Sequence, residues 1–431
     1  MKTETQKQQY ILIIGGDFPL RERILAGALR ASNCMPVYTL AKTRMTAAVK
    51  FFDGYIIGDV SDSAGVLAAV QRHEREHGAR PAAVIPLNDF TVRTAQVVAG
   101  HYGLNHNSAQ TVERCRNKLL MKQVLQAAGL PVPRFAVFST LAELKEQVAR
   151  IGLPVVIKPN ELAGSVGVIK VDAAADLERA FTQCLADVSA LGGAFMTPED
   201  MFLVEEYIAA EAEVSVEVLN QGEFHRALAV TDKHLGPEPY FVEVGQSMPS
   251  LHSGNARLLA IAEQACAALG IRYGVAHFEA RIRPDGEVCI IEVGARTGGD
   301  AIMDLVERSY GINPYQLHVA SYLDAPLELP QQLDARGLSA IAFLKAEVGV
   351  IEQVSLPALL DETIVNMQVT AKPLDRSEAP LSWRAREGSL EFFWKGRQPA
   401  LGFDEHLQTA QRLSQRMFTM RATGAQEGSH A

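Results

Sequence analysis

Residues 153–171 show the clearest pattern of apolar and polar runs in the chain, LPVVIKPNELAGSVGVIKV. Two runs rich in Val and Ile flank a segment of Asn, Gly and Ser, which is typical of two strands joined by a turn. We therefore predict a β-hairpin whose first strand ends at Lys158 and whose tip contains Gly164, Ser165 and Gly167. Such a tip lets backbone N–H groups approach an anion, although an ordinary hairpin with a surface lysine also fits this pattern.

Apolar runs alternate with amphipathic segments over about residues 1–110. The runs YILIIGG, MPVYTL and AAVIPL predict buried strands, and the segments between and after them have the 3.6-residue spacing of helices. This alternation predicts a small, doubly wound α/β domain. The pair Gly15–Gly16 after the first strand is too weak a signal to place a nucleotide there.

A helix is predicted over residues 111–131, with Gly129 and Pro131 as its stop signal. Lys118 lies on this helix, where a solvated lysine is the usual case. The hydrophobic pattern also predicts an exposed loop at 191–200 and a disordered tail at 422–431.

Residues 202–219, FLVEEYIAAEAEVSVEVL, predict one buried strand and then an alternating one. The second strand carries Glu213, Ser215 and Glu217 on one face, which is expected to face solvent. The next segment, TDKHLGPEPYFVEVGQSMPS, is predicted to be rich in loops. Its polar side chains are either solvated or part of a substrate site, and they are Lys233, His234, Tyr240 and Glu243.

Residues 275–300 predict a strand, a Pro-Asp-Gly turn and a second strand, an arrangement that places Glu279 opposite Glu292. Two opposed glutamates in an apolar hairpin need a counter-charge. Arg281 or Arg296 would supply one, and a divalent ion with oxygen ligands, suited to Mg²⁺, is the alternative that we favour. His277 on the first strand is expected to be a packed core histidine.

Composition and charge exclude several classes of protein. The 431 residues have a formal net charge of −9 and no dense Lys/Arg run, which argues against nucleic-acid binding. No apolar run is long enough to span a membrane, and the polar N-terminus is not a secretory signal. The five scattered cysteines form no C-x-x-C pair, so we expect no zinc site or disulfide framework and a cytoplasmic location.

Taken together, these segments resemble the ATP-grasp superfamily. The resemblance depends on their order: a lysine on a helix, a lysine before a glycine hairpin, an EEYI linker, and two glutamates with an arginine four residues after the second. It implies an N-terminal doubly wound α/β domain, a two-lobed ATP-grasp domain and a small C-terminal α+β domain. The corresponding boundaries are 1–110, 111–325 with a lid subdomain at about 135–205, and 326–431.

The resemblance also implies how ATP would bind. Lys118 and Lys158 would contact the phosphates beneath the hairpin tip, and Glu213 would hold the ribose hydroxyls. A linker would meet adenine largely through its backbone; its residues are Glu205, Glu206, Tyr207 and Ile208.

The same resemblance makes Glu279 and Glu292 the ligands of Mg²⁺, with Mn²⁺ as an alternative, and makes Arg296 face the acyl phosphate and the substrate carboxylate. Arg296 and Lys158 are the implied catalytic residues. Many members carry Glu-x-Asn at the metal site, whereas this chain has Gly294 at the third position. One ligand is therefore missing or supplied otherwise, and the number of metal ions, one or two, stays open.

Within the superfamily, the segments EVGARTGGD and PYFVEVGQSMPS look like the L-amino-acid ligases. This implies a homodimeric enzyme that joins a small-molecule carboxylate to an amine through an acyl phosphate, with release of ADP and phosphate. Biotin carboxylases and purine-pathway ligases are the alternative branches, although the lid sequence AGSVG argues against the former. A non-catalytic nucleotide-binding protein and acyl-adenylate chemistry are the alternatives from other classes.

Overall fold

The structure is a computed structural model that describes residues 8–15, 21–44, 50–190 and 202–421. Three predicted features lie outside these ranges: Gly16 at the end of the first strand, the loop at 191–200 and the tail at 422–431. Within the described ranges, no helix is both long enough and apolar enough to cross a membrane.

The N-terminal part is a parallel sheet with helices on both faces. Its elements are β1 (Gln8–Ile14), α1 (Arg21–Ala31), β2 (Val37–Ala41), β3 (Gly54–Ile57), α2 (Ser63–His77), β4 (Ala79–Pro86) and α3 (Val92–His101). The strands lie in the order β3-β2-β1-β4 and are all parallel. Alternate residues of β1 pack towards α1 on one face and towards α2 and α3 on the other. The predicted α/β architecture is confirmed, although the short strand β3 was not predicted.

The predicted single helix over 111–131 is wrong, because the chain forms α4 (Ala109–Arg116) and α5 (Lys118–Ala127). Asn117 separates them in an extended conformation, with φ −95° and ψ 110°. Its side chain accepts a hydrogen bond from the Leu120 N–H at 2.9 Å and so begins a new helix. Lys118 is therefore the first residue of α5, and its N–H donates to the Asn160 carbonyl at 3.1 Å.

A four-stranded antiparallel sheet contains the predicted hairpin. Its elements are β5 (Phe135–Phe138), α6 (Leu141–Ile151), β6 (Val155–Pro159), β7 (Ile169–Val171), α7 (Leu177–Ser189) and β8 (Phe202–Glu206), with the strand order β5-β8-β6-β7. Strands β6 and β7 pair in the register Val155 to Val171, so the hairpin prediction is confirmed. Helices α6 and α7 pack on its apolar side chains and form one core cluster.

The largest sheet is antiparallel and has eight strands. Its first five strands are β9 (Ala212–Gln221), β10 (Phe224–Leu235), β11 (Glu243–Met248), β12 (Tyr273–Ile282) and β13 (Val288–Gly294). Helix α8 (Ala256–Leu269) lies between β11 and β12 in the chain, and α9 (Ile302–Tyr310) and α10 (Pro314–Tyr322) follow β13. The prediction that the segment from Thr231 onwards is rich in loops is wrong at both ends, because residues up to Leu235 extend β10 and residues 243–248 form β11, which pairs with the end of β10. The polar side chains that suggested a loop include several that line a buried site.

The C-terminal part extends this same sheet. Its elements are β14 (Gly337–Leu344), β15 (Gly349–Val354), β16 (Ile364–Val369), β17 (Arg376–Ser377), β18 (Gly388–Lys395), α11 (Glu405–Met417) and β19 (Phe418–Met420). The eight strands run β13-β12-β9-β10-β11-β14-β18-β16, and a small sheet runs β17-β15-β19. The sheet is continuous across residue 325, where a domain boundary was predicted; that boundary stays a prediction.

Candidate active site

A cavity of about 110 Å³ lies between the hairpin tip and the eight-stranded sheet. Thirteen of the predicted site residues line it: Lys118, Lys158, Gly164, Ser165, Glu205, Glu206, Ile208, Glu213, Lys233, Glu243, Glu279, Glu292 and Arg296. Segments distant in the chain thus meet at one place, and most of the predicted site residues are brought together.

Both predicted phosphate lysines are buried and each has a carboxylate partner. Lys158 is the last residue but one of β6, and its Nζ lies 2.8 Å from Glu205 Oε1. Lys118 Nζ donates to the Leu162 carbonyl at 2.6 Å and lies 3.1 Å from Glu292 Oε1. An incoming anion would replace these carboxylates as the partner of two preorganised cations.

The hairpin tip has a backbone that favours glycine. Gly164, Ser165 and Gly167 all have positive φ, at +71°, +59° and +69°. Ser165 Oγ donates to the Phe241 carbonyl at 2.8 Å, which ties the tip to the segment between β10 and β11. A Cβ on Gly164 would lie 2.3 Å from Trp383 Cδ1, so any larger residue at position 164 would clash with the C-terminal part.

Glu279 and Glu292 face each other across the β12–β13 pair, as predicted from the turn between them. Two lysines pair with them, in place of the expected Arg281 or Arg296. Glu279 Oε1 lies 2.8 Å from Lys233 Nζ, and Glu292 pairs with Lys118. Burial alone would raise the pKa of Glu279, but Lys233 and His277 hold that pKa well below its usual range. Glu279 is thus a carboxylate at neutral pH, the form that a hard cation requires.

Lys233 is the centre of an acidic cluster on the floor of the cavity. Its Nζ lies 2.8 Å from Glu279, 3.2 Å from Glu243 and 3.5 Å from Glu213. Burial alone would lower the pKa of Lys233, but the glutamates raise it well above its usual value. His234, the next residue, lies on the other face of the sheet and contacts Ser247 Oγ at 3.0 Å.

His277 is buried as predicted, but it does more than fill the core. Its Nδ1 lies 2.5 Å from Glu217 Oε1 and its Nε2 lies 2.9 Å from Glu279 Oε1. Burial alone would lower the pKa of His277, but Glu217 and Glu279 raise it to about 9, so the ring donates from both nitrogens. The prediction that this face of β9 is exposed to solvent is wrong, because Ser215 and Glu217 are fully buried and Glu217 also accepts from the Gly298 N–H at 3.1 Å.

The predicted adenine linker leaves β8 beside Arg281. The N–H groups of Glu206 and Tyr207 donate to carbonyls of the four-stranded-sheet lobe, and the Ile208 carbonyl accepts from Arg281 Nη1 at 2.9 Å. Arg281 Nε also donates to Glu213 Oε2 at 2.8 Å. The Tyr207 ring lies 5.3 Å from the Arg281 guanidinium and lies outside the cavity lining.

Tyr240 also lies outside the cavity lining, where it forms a β-bridge with Ile169 of the hairpin. It packs against the core of the four-stranded-sheet lobe. Its position favours a role in holding the lid, in place of the substrate contact considered from the sequence.

Arg296 meets the N-terminal sheet. Its Nε donates to Asp89 Oδ2 at 2.8 Å, and Asp89 follows the carboxyl end of β4, the edge where such sheets bind ligands. Burial alone would raise the pKa of Asp89, but Arg296 and Arg116 lower it to about 2. A Cβ on Gly294 would lie 3.2 Å from Arg296 Nε, so the departure from Glu-x-Asn leaves room for this arginine.

Known proteins resemble this chain in sequence and in fold. The ATP-grasp domain family matches residues 151–304. Alanine–anticapsin ligase of Bacillus subtilis is 24% identical over 54% of this chain and 52% of its own length; the chain spans about half the length of the curated relatives it matches.

The fold is shared with solved structures over nearly the whole chain. L-amino acid ligase from Bacillus licheniformis has a TM-score of 0.77 at 21% identity, covering 97% of this chain and 100% of that one. The biotin carboxylase domain of Hydrogenobacter thermophilus 2-oxoglutarate carboxylase, in complex with MgADP, ADP and bicarbonate, has a TM-score of 0.65 at 16% identity. It covers 90% of this chain and 86% of that one.

Residues 151–304 thus form a domain of the ATP-grasp family. The Glu279–Glu292 pair supplies two carboxylates, and Mg²⁺ is usually held by one or two carboxylates together with phosphates and water. Among the described residues, no group of three or more His, Cys, Asp or Glu side chains could hold a metal ion by itself.

Two buried residues that the sequence analysis missed, Lys122 and Asp89, contact residues that line the cavity. Lys122 is fully buried and donates to the carbonyls of Ile290 and Ile291 at 2.9 and 2.8 Å, where the β12–β13 register shifts just before Glu292. Asp89 had a usable signal, an acid directly after a predicted parallel strand. Lys122 also had a signal, because it falls on the same face of the helix as the buried Met121 and Leu125.

Proposed function

We propose that this chain is an ATP-dependent carboxylate–amine ligase that forms an amide or peptide bond through an acyl phosphate, with an amino acid as one substrate. One observation carries the proposal: Lys118, Lys158, Arg296 and the Glu279–Glu292 pair converge on a single cavity under a glycine-containing tip. The likeness to two amino-acid ligases supports the branch. The homodimer and the cytoplasmic location stay predictions.

The first step would be attack of the substrate carboxylate on the γ-phosphorus of ATP, giving an acyl phosphate and ADP. Its transition state concentrates negative charge on the phosphoryl oxygens, and Lys118, Lys158 and the tip N–H groups would neutralise that charge. Glu279 and Glu292 would hold Mg²⁺, whose contribution when bound is further positive charge at the phosphates.

In the second step the amine nitrogen would attack the acyl carbon, and phosphate would leave. Arg296 offers a planar fork of N–H donors that suits the carboxylate and the oxyanion of the tetrahedral intermediate. Asp89 fixes that fork, since it pairs with Arg296 Nε.

The lid would have to move during each cycle. A cavity of about 110 Å³ is smaller than the roughly 300–1,000 Å³ of typical ligand sites. The tip would lift to admit ATP and close again to keep water from the acyl phosphate.

Nucleotide product analysis with Mg-ATP and pooled amino acids tests the proposal. We expect ADP, phosphate and a new compound with the mass of two substrates minus water. AMP would contradict the acyl-phosphate route, and tight ATP binding without turnover in a wide screen of carboxylates would favour a non-catalytic nucleotide-binding protein.

A further inference from the structure

Lys122 on α5 is a charged side chain that the proposed mechanism does not use. It is fully buried and lies outside the cavity lining. Its Nζ donates to the carbonyls of Ile290 and Ile291 at 2.9 and 2.8 Å, and it lies 3.4 Å from Glu205 Oε1. Burial of an ammonium costs free energy that an apolar side chain of similar size would not, so these contacts point to a role beyond packing.

The two carbonyls that Lys122 binds belong to a β-bulge in β13. Glu279 of β12 pairs with Glu292. The next residue of β12 pairs with Ile290, so the register leaves Ile291 without a partner on β12. Successive side chains of a regular strand point to opposite faces, whereas here Ile291 and Glu292 both line the cavity. The bulge therefore decides how the Glu292 carboxylate enters the site.

Helix α5 holds this bulge through the backbone of β13. Besides the two carbonyls bound by Lys122, the N–H of Val293 donates to Met121 Sδ at 3.3 Å. Lys118, one turn earlier on the helix, pairs with the Glu292 carboxylate inside the cavity. A single turn of α5 thus contacts both the carboxylate of Glu292 and the backbone on either side of it.

The same ammonium reaches the phosphate side of the site. Glu205 Oε1 lies 3.4 Å from Lys122 Nζ and 2.8 Å from Lys158 Nζ. When phosphates pair with Lys158, Lys122 would remain beside Glu205, because it lies outside the cavity lining. The buried carboxylate would therefore keep a cation in each state of the site.

We propose that Lys122 is a positioning residue for the divalent ion that accompanies the nucleotide: it holds the β13 bulge and so fixes the Glu292 carboxylate opposite Glu279. The inference rests on the proposed function, which assigns these two glutamates to Mg²⁺. Lys122 touches neither the ion nor the nucleotide. The property that it sets is the affinity for the metal, which groups that orient a metal ligand typically change by about 10–100-fold.

Binding of Mn²⁺ to the complex with ADP tests the inference without turnover. The electron paramagnetic resonance signal of free Mn²⁺ decreases on binding and so reports the affinity. Lys122→Met removes the ammonium and leaves Glu205 paired with Lys158, so the remaining buried charges stay balanced. It should weaken Mn²⁺ binding at least about tenfold, whereas ADP binding without metal, measured by calorimetry, should change by less than about threefold.

Three further variants separate orientation from stability. Lys122→Gln keeps N–H donors for the two carbonyls and should lose less Mn²⁺ affinity, about threefold, so it also carries the test by itself if Lys122→Met does not fold. Leu125→Ala removes buried packing from the same helix; it should lower thermal stability and keep the Mn²⁺ affinity. Gln123→Met, an exposed change on α5, should match the wild type in both.

The dependence of turnover on Mg²⁺ gives a second readout. Lys122→Met should need at least about ten times more Mg²⁺ for half-maximal turnover, and saturating Mg²⁺ should restore kcat to within about threefold of the wild type. This recovery is expected because the metal ligands would be displaced but still present. Glu292→Gln loses a ligand and should not recover in this way.

Three outcomes overturn the inference. The first is wild-type Mn²⁺ affinity in both Lys122→Met and Lys122→Gln. The second is an equal loss in Lys122→Met and Leu125→Ala, which would make Lys122 an ordinary part of the packing of α5. The third is a wild-type ADP complex that binds no Mn²⁺, which would also overturn the proposed metal site.

Failure of the ligase function looks different. A chain whose ADP complex binds Mn²⁺ with an affinity that depends on Lys122, but which forms no ADP from ATP with any carboxylate, would contradict the proposed reaction. The same result would support Lys122 as the residue that positions the metal ligand.

Discussion

At the scale of single residues, the cations of the site are already neutralised by glutamates. Lys118, Lys158 and Lys233 each lie 2.8–3.1 Å from a carboxylate. Desolvated charges of this kind are costly unless paired, so the pairs keep the site stable until phosphates arrive. Binding of ATP would then be an exchange of partners, in which phosphates pair with Lys118 and Lys158 and leave Glu292 free to hold the metal.

Lys158→Ala and Glu292→Gln should each lower turnover at least about 100-fold, because each removes charge that stabilises phosphoryl transfer. Steady-state ADP release measures this. Lys145→Ala, an exposed lysine on α6 in the same lobe, is the matched control and should behave like the wild type. Near-normal turnover in either site variant would contradict the assignment of that residue.

Asp89→Asn tests whether Arg296 must be held from the N-terminal sheet. The change leaves Arg296 and Arg116 buried without their shared carboxylate, which should cost about 3 kcal/mol of stability. We expect KM for the carboxylate substrate to rise more than KM for ATP. Glu76→Gln, an exposed change on α2, is the control. An equal rise in both KM values would point to a general loss of structure.

At the scale of elements, the local pattern predicted the hairpin and the opposed glutamates because turn and strand signals depend on neighbouring residues. The pattern failed where tertiary contacts decide. Residues 231–235 looked like a loop because polar side chains such as Lys233 face the site from within a strand. The local pattern could not predict the partners of Arg296 and Glu292. Asp89 lies 207 residues before Arg296, and Lys118 lies on a helix far from Glu292 in the chain.

Gly164→Ala tests the lid as an element. Alanine at φ +71° costs about 1–2 kcal/mol, and its Cβ would also clash with the Trp383 ring, so the closed lid should be less populated. We expect kcat to fall at least about tenfold with little change in thermal stability. Gly222→Ala has a similar φ, +63°, with open space around it, and should leave kcat unchanged.

The double variant Gly164→Ala/Trp383→Ala separates strain from clash. Partial recovery of kcat would assign the loss to contact with the C-terminal part. A Gly164→Ala enzyme with wild-type kcat would show that closure of this tip does not limit the reaction.

At the scale of the whole molecule, the N-terminal sheet and the eight-stranded sheet meet around one neutral histidine. His318 on α10 accepts from the Val275 N–H at 2.9 Å through Nδ1, and its Nε2 lies 3.1 Å from the Pro86 carbonyl. These contacts join β12, α10 and β4. They require the neutral ring, because an imidazolium has no lone pair left for Val275.

His318 should therefore make the assembly of the molecule sensitive to acid. Burial lowers the pKa of His318 to about 4, from about 6.5 in the unfolded chain, so the unfolded chain binds more protons between these values. The contribution of His318 to the free energy of unfolding is present in full above pH 6.5 and falls as the pH drops towards 4, by about 2 kcal/mol between pH 7 and 5.

Urea unfolding at pH 7 and pH 5 measures this loss. His318→Gln should be less stable than the wild type at pH 7 but should lack this part of the pH dependence. The control is the exposed change His101→Gln, which should lose as much stability on acidification as the wild type. If His318→Gln also loses as much stability between pH 7 and 5, the acid sensitivity comes from other groups, and His318 is only a structural contact between the two sheets.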